Sequence, residues 1–184
     1  MSGKWVFVCG PSGAGKDSVL GWAADHLAGR RNIVFARRVV TRSLQPGSDH
    51  DPVTPQQFAQ LRRAGDLVWC WQAHGFEYGI AAHYCAAIAA GRVVVVNGSR
   101  EHALTLEGIQ SVRVVQIAVG AEQLAVRLAQ RGRDDPEQIN QRLMRNARFN
   151  AMRVDHTILN QGELACAGRQ LADYLGAGAE GSDH

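Results

Sequence analysis

Residues 10–18 read GPSGAGKDS. Gly10, Gly15 and Lys16 have the spacing of a loop that wraps phosphates. Glycines let the chain curl until successive amide N–H groups point inward, and the lysine is a point charge for β and γ oxygens. Pro11, Ser12, Gly13 and Ala14 fill the loop between them. The next position normally carries a hydroxyl beside a metal ion, but here it is Asp17, followed by Ser18. Enzymes with such loops often end a later core strand with an aspartate on the Mg²⁺ side. The matching apolar run here, Val93 to Val96, ends in Asn97. With the strand-end acid missing and an acid on the loop, Asp17 reads as the metal-side carboxylate, with the Ser18 hydroxyl beside it. The alternative is that Asp17 serves only to favour the first turn of the helix it opens.

The flanking elements give the loop its required setting. Trp5 to Cys9 reads as a buried parallel strand running into the loop, and Lys16 to Leu27 as a helix with Val19, Leu20, Ala23 and Leu27 on one stripe. A second strand is predicted over 32–40 and a loop over 43–53. Thr54, Pro55 and Gln57 form a helix start with a capping box, and Phe58 and Leu61 give that helix an apolar face. An aromatic strand over 67–73 leads to a glycine-punctuated turn at 74–80, then a small helix at 82–90. Trp69 and Trp71 alternate along that strand, so one is expected in the core and the other in either core or pocket wall. Runs 92–97 and 111–119 read as buried strands. An amphipathic helix over 121–132 turns Leu124, Leu128 and the neighbouring valine inward, and Asp135-Pro136-Glu137 opens another helix carrying Arg142, Arg145 and Arg148. A strand at 156–160, a helix near 163–175 and a disordered tail over 176–184 complete the prediction. The fold class is α/β: a P-loop NTPase-type doubly wound parallel sheet with its phosphate site at the carboxyl edge. A single domain over 1–175 with one core is expected, with 43–90 and 131–140 inserted over the site.

Bulk properties narrow the setting. At 184 residues and 46% hydrophobic the chain suits one sizeable core, and no run approaches the roughly 18 apolar residues of a membrane span. The run Trp5 to Cys9 is too short for a signal-peptide core, which points to a soluble, cytoplasmic protein. Cys9, Cys70, Cys85 and Cys166 are scattered without a paired spacing, against zinc and against a disulfide framework. A net charge of +3 does not imply nucleic acid. The lysines are Lys4 and Lys16 alone, so nearly every cation is arginine, whose planar fork suits phosphate; codon bias is the competing explanation.

GPSGAGK (10–16), VTR (40–42), HGFEYGI (74–80), the run 127–143 and DHTILN (155–160) together resemble a nucleoside-monophosphate kinase, guanylate kinase above all. GPSGAGKDS, FARRVVTR (35–42), the stretch Trp71 to Ile80 and NGSR (97–100) resemble the ribose 1,5-bisphosphate phosphokinase family of phosphonate degradation, Asp17 included. That resemblance implies transfer of the ATP γ-phosphoryl, with Mg²⁺, onto the 1-phosphate of ribose 1,5-bisphosphate. It implies that 43–90 binds the acceptor and 131–140 forms a lid. Arg38, Arg42 and Tyr78 then match acceptor-phosphate binders, while Arg131 and Arg142 clamp ATP with Arg133 nearby. Trp69 falls where guanylate kinases carry a base-reading glutamate, and an indole cannot accept guanine protons. A second anion site would use Arg37 or Arg100. The partner implied is a small-molecule sugar phosphate or nucleotide, with no nucleic acid and no membrane, and a homodimer is left open. A guanylate kinase and a non-catalytic interaction module are the competing readings; the intact Gly15 and Lys16 disfavour the module.

Overall fold

Valine-rich strands with both faces apolar must be covered on both faces. A computed structural model describes residues 3–44, 49–130, 137, 141, 144, 147–149 and 152–180. Strands β1 (Lys4–Cys9), β2 (Ile33–Ala36), β7 (Val93–Asn97), β8 (Val112–Ala118) and β9 (His156–Leu159) form a parallel sheet in the order β2-β7-β1-β8-β9. The central strand β1 runs directly into the glycine loop. Helix α1 (Lys16–His26) leaves that loop.

The two-residue period of β1 divides its side chains between two apolar layers. Val6 and Val8 pack with Val19, Leu20 and Ala23 of α1, Leu124 and Leu128 of α5 (Ala121–Gln130), and Leu171 and Leu175 of α6 (Leu164–Glu180). Trp5, Phe7 and Cys9 face the other way, with Val94 and Val96, onto a smaller sheet. The core is therefore two clusters, one on each face of the parallel sheet, where the sequence suggested one.

The smaller sheet contains β3 (Arg38–Val40), β4 (His50–Pro52), β5 (Leu67–Ala73) and β6 (Phe76–Ala81) in the order β4-β3-β6-β5. The predicted strand over 32–40 is thus two strands in different sheets. At the break, Arg37 donates its backbone N–H to the Tyr84 hydroxyl at 2.9 Å. Its guanidinium reaches Asp49 and Asp51, each at 2.5 Å, and the His50 carbonyl at 3.0 Å. That clamp also makes a parallel strand of 50–52 inside the predicted 43–53 loop, of which 45–48 lie outside the described residues.

The predicted turn over 74–80 contracts to His74 and Gly75. Their φ values of 52° and 79° give a primed two-residue hairpin matched to strand twist, and Phe76 onward pairs as β6. Helix α2 (Pro55–Ala64) begins with the predicted capping box: Thr54 Oγ1 accepts from the Gln57 N–H at 3.1 Å, and Gln57 Oε1 accepts from the Thr54 N–H at 2.8 Å. Phe58 beneath it is buried. Two short helices, α3 (Cys85–Ala89) and α4 (Arg100–Thr105), flank β7.

Further corrections concern α5 and α6. Leu124 and Leu128 are buried, but Val126 is exposed, because it lies two residues from Leu124 and so on the far side of the helix. Helix α6 continues through Glu180 where a disordered tail from 176 was predicted. Extending an existing helix fixes one residue per hydrogen bond, which costs far less than starting one.

Candidate active site

The glycine loop is held from behind. Gly15 caps α1 in the left-handed region, φ 79° and ψ 20°. The preceding carbonyl, of Ala14, accepts from Asn160 Nδ2 at 2.7 Å and from Arg127 Nη1 at 3.4 Å. Arg127 also donates to the Asn160 carbonyl at 2.8 Å, tying α5 to the end of β9. A Cβ at Gly15 would lie 2.6 Å from Asn160 Nδ2, so side-chain space as well as φ demands glycine there.

Inside the loop, Lys16 is largely buried and Asp17 is open to solvent. Lys16 Nζ donates to Asp17 Oδ1 at 3.0 Å and to Asn97 Oδ1. Asn97 Nδ2 in turn donates to Asp17 Oδ1 at 2.8 Å. Partial desolvation by the surrounding loop would raise the Asp17 carboxyl, but the Lys16 charge, hydrogen bonds from Asn97 and Lys16, and the Arg38 charge outweigh it and bring the pKa down to about 2. Burial lowers the Lys16 pKa, with Asp17 opposing and Arg38 adding to the effect. The helix-start reading and the metal reading of Asp17 are compatible: it lies in the first turn of α1, and its carboxylate turns toward Lys16 and Asn97.

The loop opens on a cavity of about 520 Å³. Arg38 and Arg42 enter it from the smaller sheet, Arg100 from the start of α4, and Trp71 and Tyr78 form its apolar wall. Tyr78 stacks on Trp71 at 5.5 Å and 9°, and Trp71 on His102 at 4.7 Å and 9°, while Arg38 lies 5.6 Å from the Tyr78 ring. Arg42 lies 5.8 Å from the Phe76 ring, and its carbonyl accepts from His50 Nε2–H at 2.9 Å. Arg42 Nε is buried with no hydrogen-bond partner among the described residues. Arg100 is buried against Phe149, 4.2 Å from the ring.

Most of the sequence-predicted residues meet at this cavity: Gly10, Pro11, Ser12, Gly13, Gly15, Lys16, Asp17, Ser18, Arg38, Arg42, Tyr78 and Arg100 all line it. Trp69 does not. Residues two apart on a strand share a face, so Trp69 and Trp71 point the same way. Trp69 stops over Trp5 and Phe7 in the core, edge-on at 5.8 and 5.5 Å, and Trp71, farther along β5, reaches the cavity. Arg37 is also displaced from the expected anion site by its ion pairs with Asp49 and Asp51. Arg131, Arg133 and Arg142, with the expected lid over 131–140, lie outside the described residues. Asn97, Asn160 and Arg127 fall inside stretches that carry the family resemblance, but their roles here, like that of His50, depend on contacts distant in sequence. The signal available for Asn97 and Asn160 is a polar residue at the end of an apolar strand.

A parallel sheet with a phosphate loop after its central strand, faced across one cavity by an arginine-bearing second sheet, defines a P-loop kinase of guanylate-kinase architecture. The fold is similar to the crystal structure of guanylate kinase from Anaplasma phagocytophilum, with a TM-score of 0.72 and 17% identity over 96% of this chain and 86% of that one. By sequence the chain is 43% identical over 170 residues to ribose 1,5-bisphosphate phosphokinase PhnN of Pseudofrankia inefficax, covering 92% of this chain and 88% of the relative. The namesake from Pseudomonas paraeruginosa is 40% identical over 184 residues, covering 96% and 97%. The chain belongs to the ribose 1,5-bisphosphate phosphokinase family. No protein-family model matches it.

Burial lowers the pKa of His102, in the ring stack, from 6.5 to about 4. The unfolded chain takes up a proton there below about pH 6.5 and the folded chain only near pH 4, so stability falls as pH drops through that window, by about 3 kcal/mol in all. His102→Phe keeps a flat ring against Trp71 and removes the titration. Urea unfolding from pH 7 to pH 4 is expected to show a correspondingly shallower loss in the variant.

Proposed function

We propose that this chain transfers the γ-phosphoryl group of ATP onto the 1-phosphate of ribose 1,5-bisphosphate, giving 5-phosphoribosyl 1-diphosphate and ADP. The observation that carries the reading is the convergence of Lys16, Arg38, Arg42 and Arg100 on one cavity. Such a set of cations suits two polyanions side by side. The names of the relatives fit the same reading. A phosphate acceptor is already anionic at neutral pH, so no general base is needed. Catalysis becomes alignment and charge neutralisation.

In this reading the loop from Gly10 to Ser18 holds the ATP phosphates, and Lys16 follows the γ-phosphoryl as it moves. Arg38, Arg42 and Tyr78 take the acceptor's 1-phosphate, and Arg42 Nε supplies a donor that the protein itself leaves unpaired among the described residues. Arg100 takes the 5-phosphate. Segment 43–90 is the acceptor-binding insertion, and a lid over 131–140 would bring Arg131, Arg133 and Arg142 to ATP. Asp17, ionised and open to solvent, and Ser18 have the hard-oxygen chemistry to hold Mg²⁺, which when bound neutralises charge on the β- and γ-phosphates. The setting is cytoplasmic; among the described residues no helix is long and apolar enough to cross a membrane.

Guanylate kinase activity is the competing reading, and the cavity wall speaks against it. Trp71 and Tyr78 present stacked ring faces to the cavity, with His102 stacked against Trp71, whereas reading guanine requires acceptors aligned with its N–H edge. The lining also carries the Glu101 carboxylate, and a site built to hydrogen-bond a group discriminates by roughly 10⁴-fold or more, so turnover with the two acceptors decides between the readings.

Competitive turnover with ribose 1,5-bisphosphate and GMP at equal concentration tests this. Preferential consumption of the sugar bisphosphate is expected; GMP consumed as fast or faster would move the assignment to guanylate kinase. Lys16→Met should leave the melting temperature nearly unchanged and lower turnover by at least about 10²-fold, as for loss of one transition-state donor. Near-normal turnover in the folded variant would remove the kinase reading.

A further inference from the structure

We infer that Asn97 is a positioning residue of the transfer site, and that Asn97 and Asp17 form one unit sharing a single carboxylate. The inference rests on the phosphoryl-transfer reading above. A lysine ammonium can only donate, so Lys16 requires the carbonyl oxygen of Asn97 to face it. The opposite end of the amide then faces Asp17, and Nδ2 donates to Oδ1 at 2.8 Å. Lys16 closes the triangle with its bond to the same Oδ1 at 3.0 Å. Each end of the Asn97 side chain is thus matched to a different charge, and neither a carboxylate nor an apolar group can do both.

The unit joins segments distant in sequence. Asn97 ends β7 in register with Val8 of β1, one residue before the strand runs out into the loop. An aspartate at 97 would set two carboxylates against each other where a donor now meets an acceptor. A leucine would release Lys16 and Asp17 together. Asparagine and aspartate, however, have the same shape. In the exchanged pair D17N/N97D the amide at position 17 would donate to the carboxylate at position 97, and Lys16 would still donate to both. The negative charge would move from loop to strand end while every donor kept an acceptor.

The test compares wild type, D17N, N97D, D17N/N97D and N97L. ATP turnover with ribose 1,5-bisphosphate, ADP binding with and without Mg²⁺ by calorimetry, and metal-free melting temperature are measured on each. The exchange is expected to raise kcat of D17N by about tenfold or more and to restore the Mg²⁺-dependent gain in ADP affinity that D17N loses. N97L should lower kcat by about tenfold or more while leaving the KM for the sugar bisphosphate nearly unchanged, as for a group that acts through Lys16. Without metal, N97D should melt below wild type and D17N/N97D close to it. The inference is overturned if the second substitution leaves D17N no better in turnover and in Mg²⁺-dependent binding. It is equally overturned if the metal-free melting shifts simply add, or if N97L turns over like wild type. Should wild type fail to use ribose 1,5-bisphosphate, the function reading fails alone, because calorimetry and melting still report on the pair.

Discussion

Lys16, Arg38, Arg42 and Arg100 repel one another, and the rest of the structure is arranged to hold them in place. Two unit charges ~6 Å apart at an effective dielectric of ~20 repel by about 3 kcal/mol, so a cluster of cations without anions is costly. The fold offsets this locally. Asp17 pairs with Lys16, and the rings of Tyr78, Phe76 and Phe149 lie against Arg38, Arg42 and Arg100. Backbone anchoring contributes as well. His50 fixes the Arg42 carbonyl, and Asn160 with Arg127 fixes the Ala14 carbonyl of the loop.

Two sheets bring these cations in from two sides. The parallel sheet delivers Lys16 through the β1–loop–α1 unit and Arg100 from the end of β7. The smaller sheet delivers Arg38 and Arg42. The chain passes between them at Arg37, whose clamp on Asp49 and Asp51 fixes β4 beside β3. Arg37 is one of the two residues, with Arg100, that the sequence offers for a second anion site, and it is Arg100 that lines the cavity. The clamp of Arg37 makes it a fastening within the smaller sheet, at the point where the chain enters it.

Local signals were legible in the sequence wherever the physics is local. The glycine loop, the capping box at Thr54 and the valine strand ending at Asn97 each depend on residues within a few positions of one another, and the structure forms them where predicted. Readings failed where a distant partner decides. Nothing in 32–40 reveals that its halves join different sheets, because the break is set by Asp49, Asp51 and Tyr84. Trp69 and Trp71 could be placed on a strand, but which one meets the cavity depends on how far β5 runs past Trp5 and Phe7. The departures at Asp17 and Asn97 were visible as a pair from sequence. That they touch was not, since hydrogen bonding across 80 positions leaves no local trace.

The central claim is that the cavity presents a phosphate oxygen, not a hydroxyl, to the incoming phosphoryl group. Phosphorus NMR of the product formed from ATP and ribose 1,5-bisphosphate reports where that group lands. The account predicts a coupled pair of diphosphate signals attached at carbon 1, with the 5-phosphate unaltered. A new phosphomonoester on a ring hydroxyl, or a diphosphate at carbon 5, would contradict it.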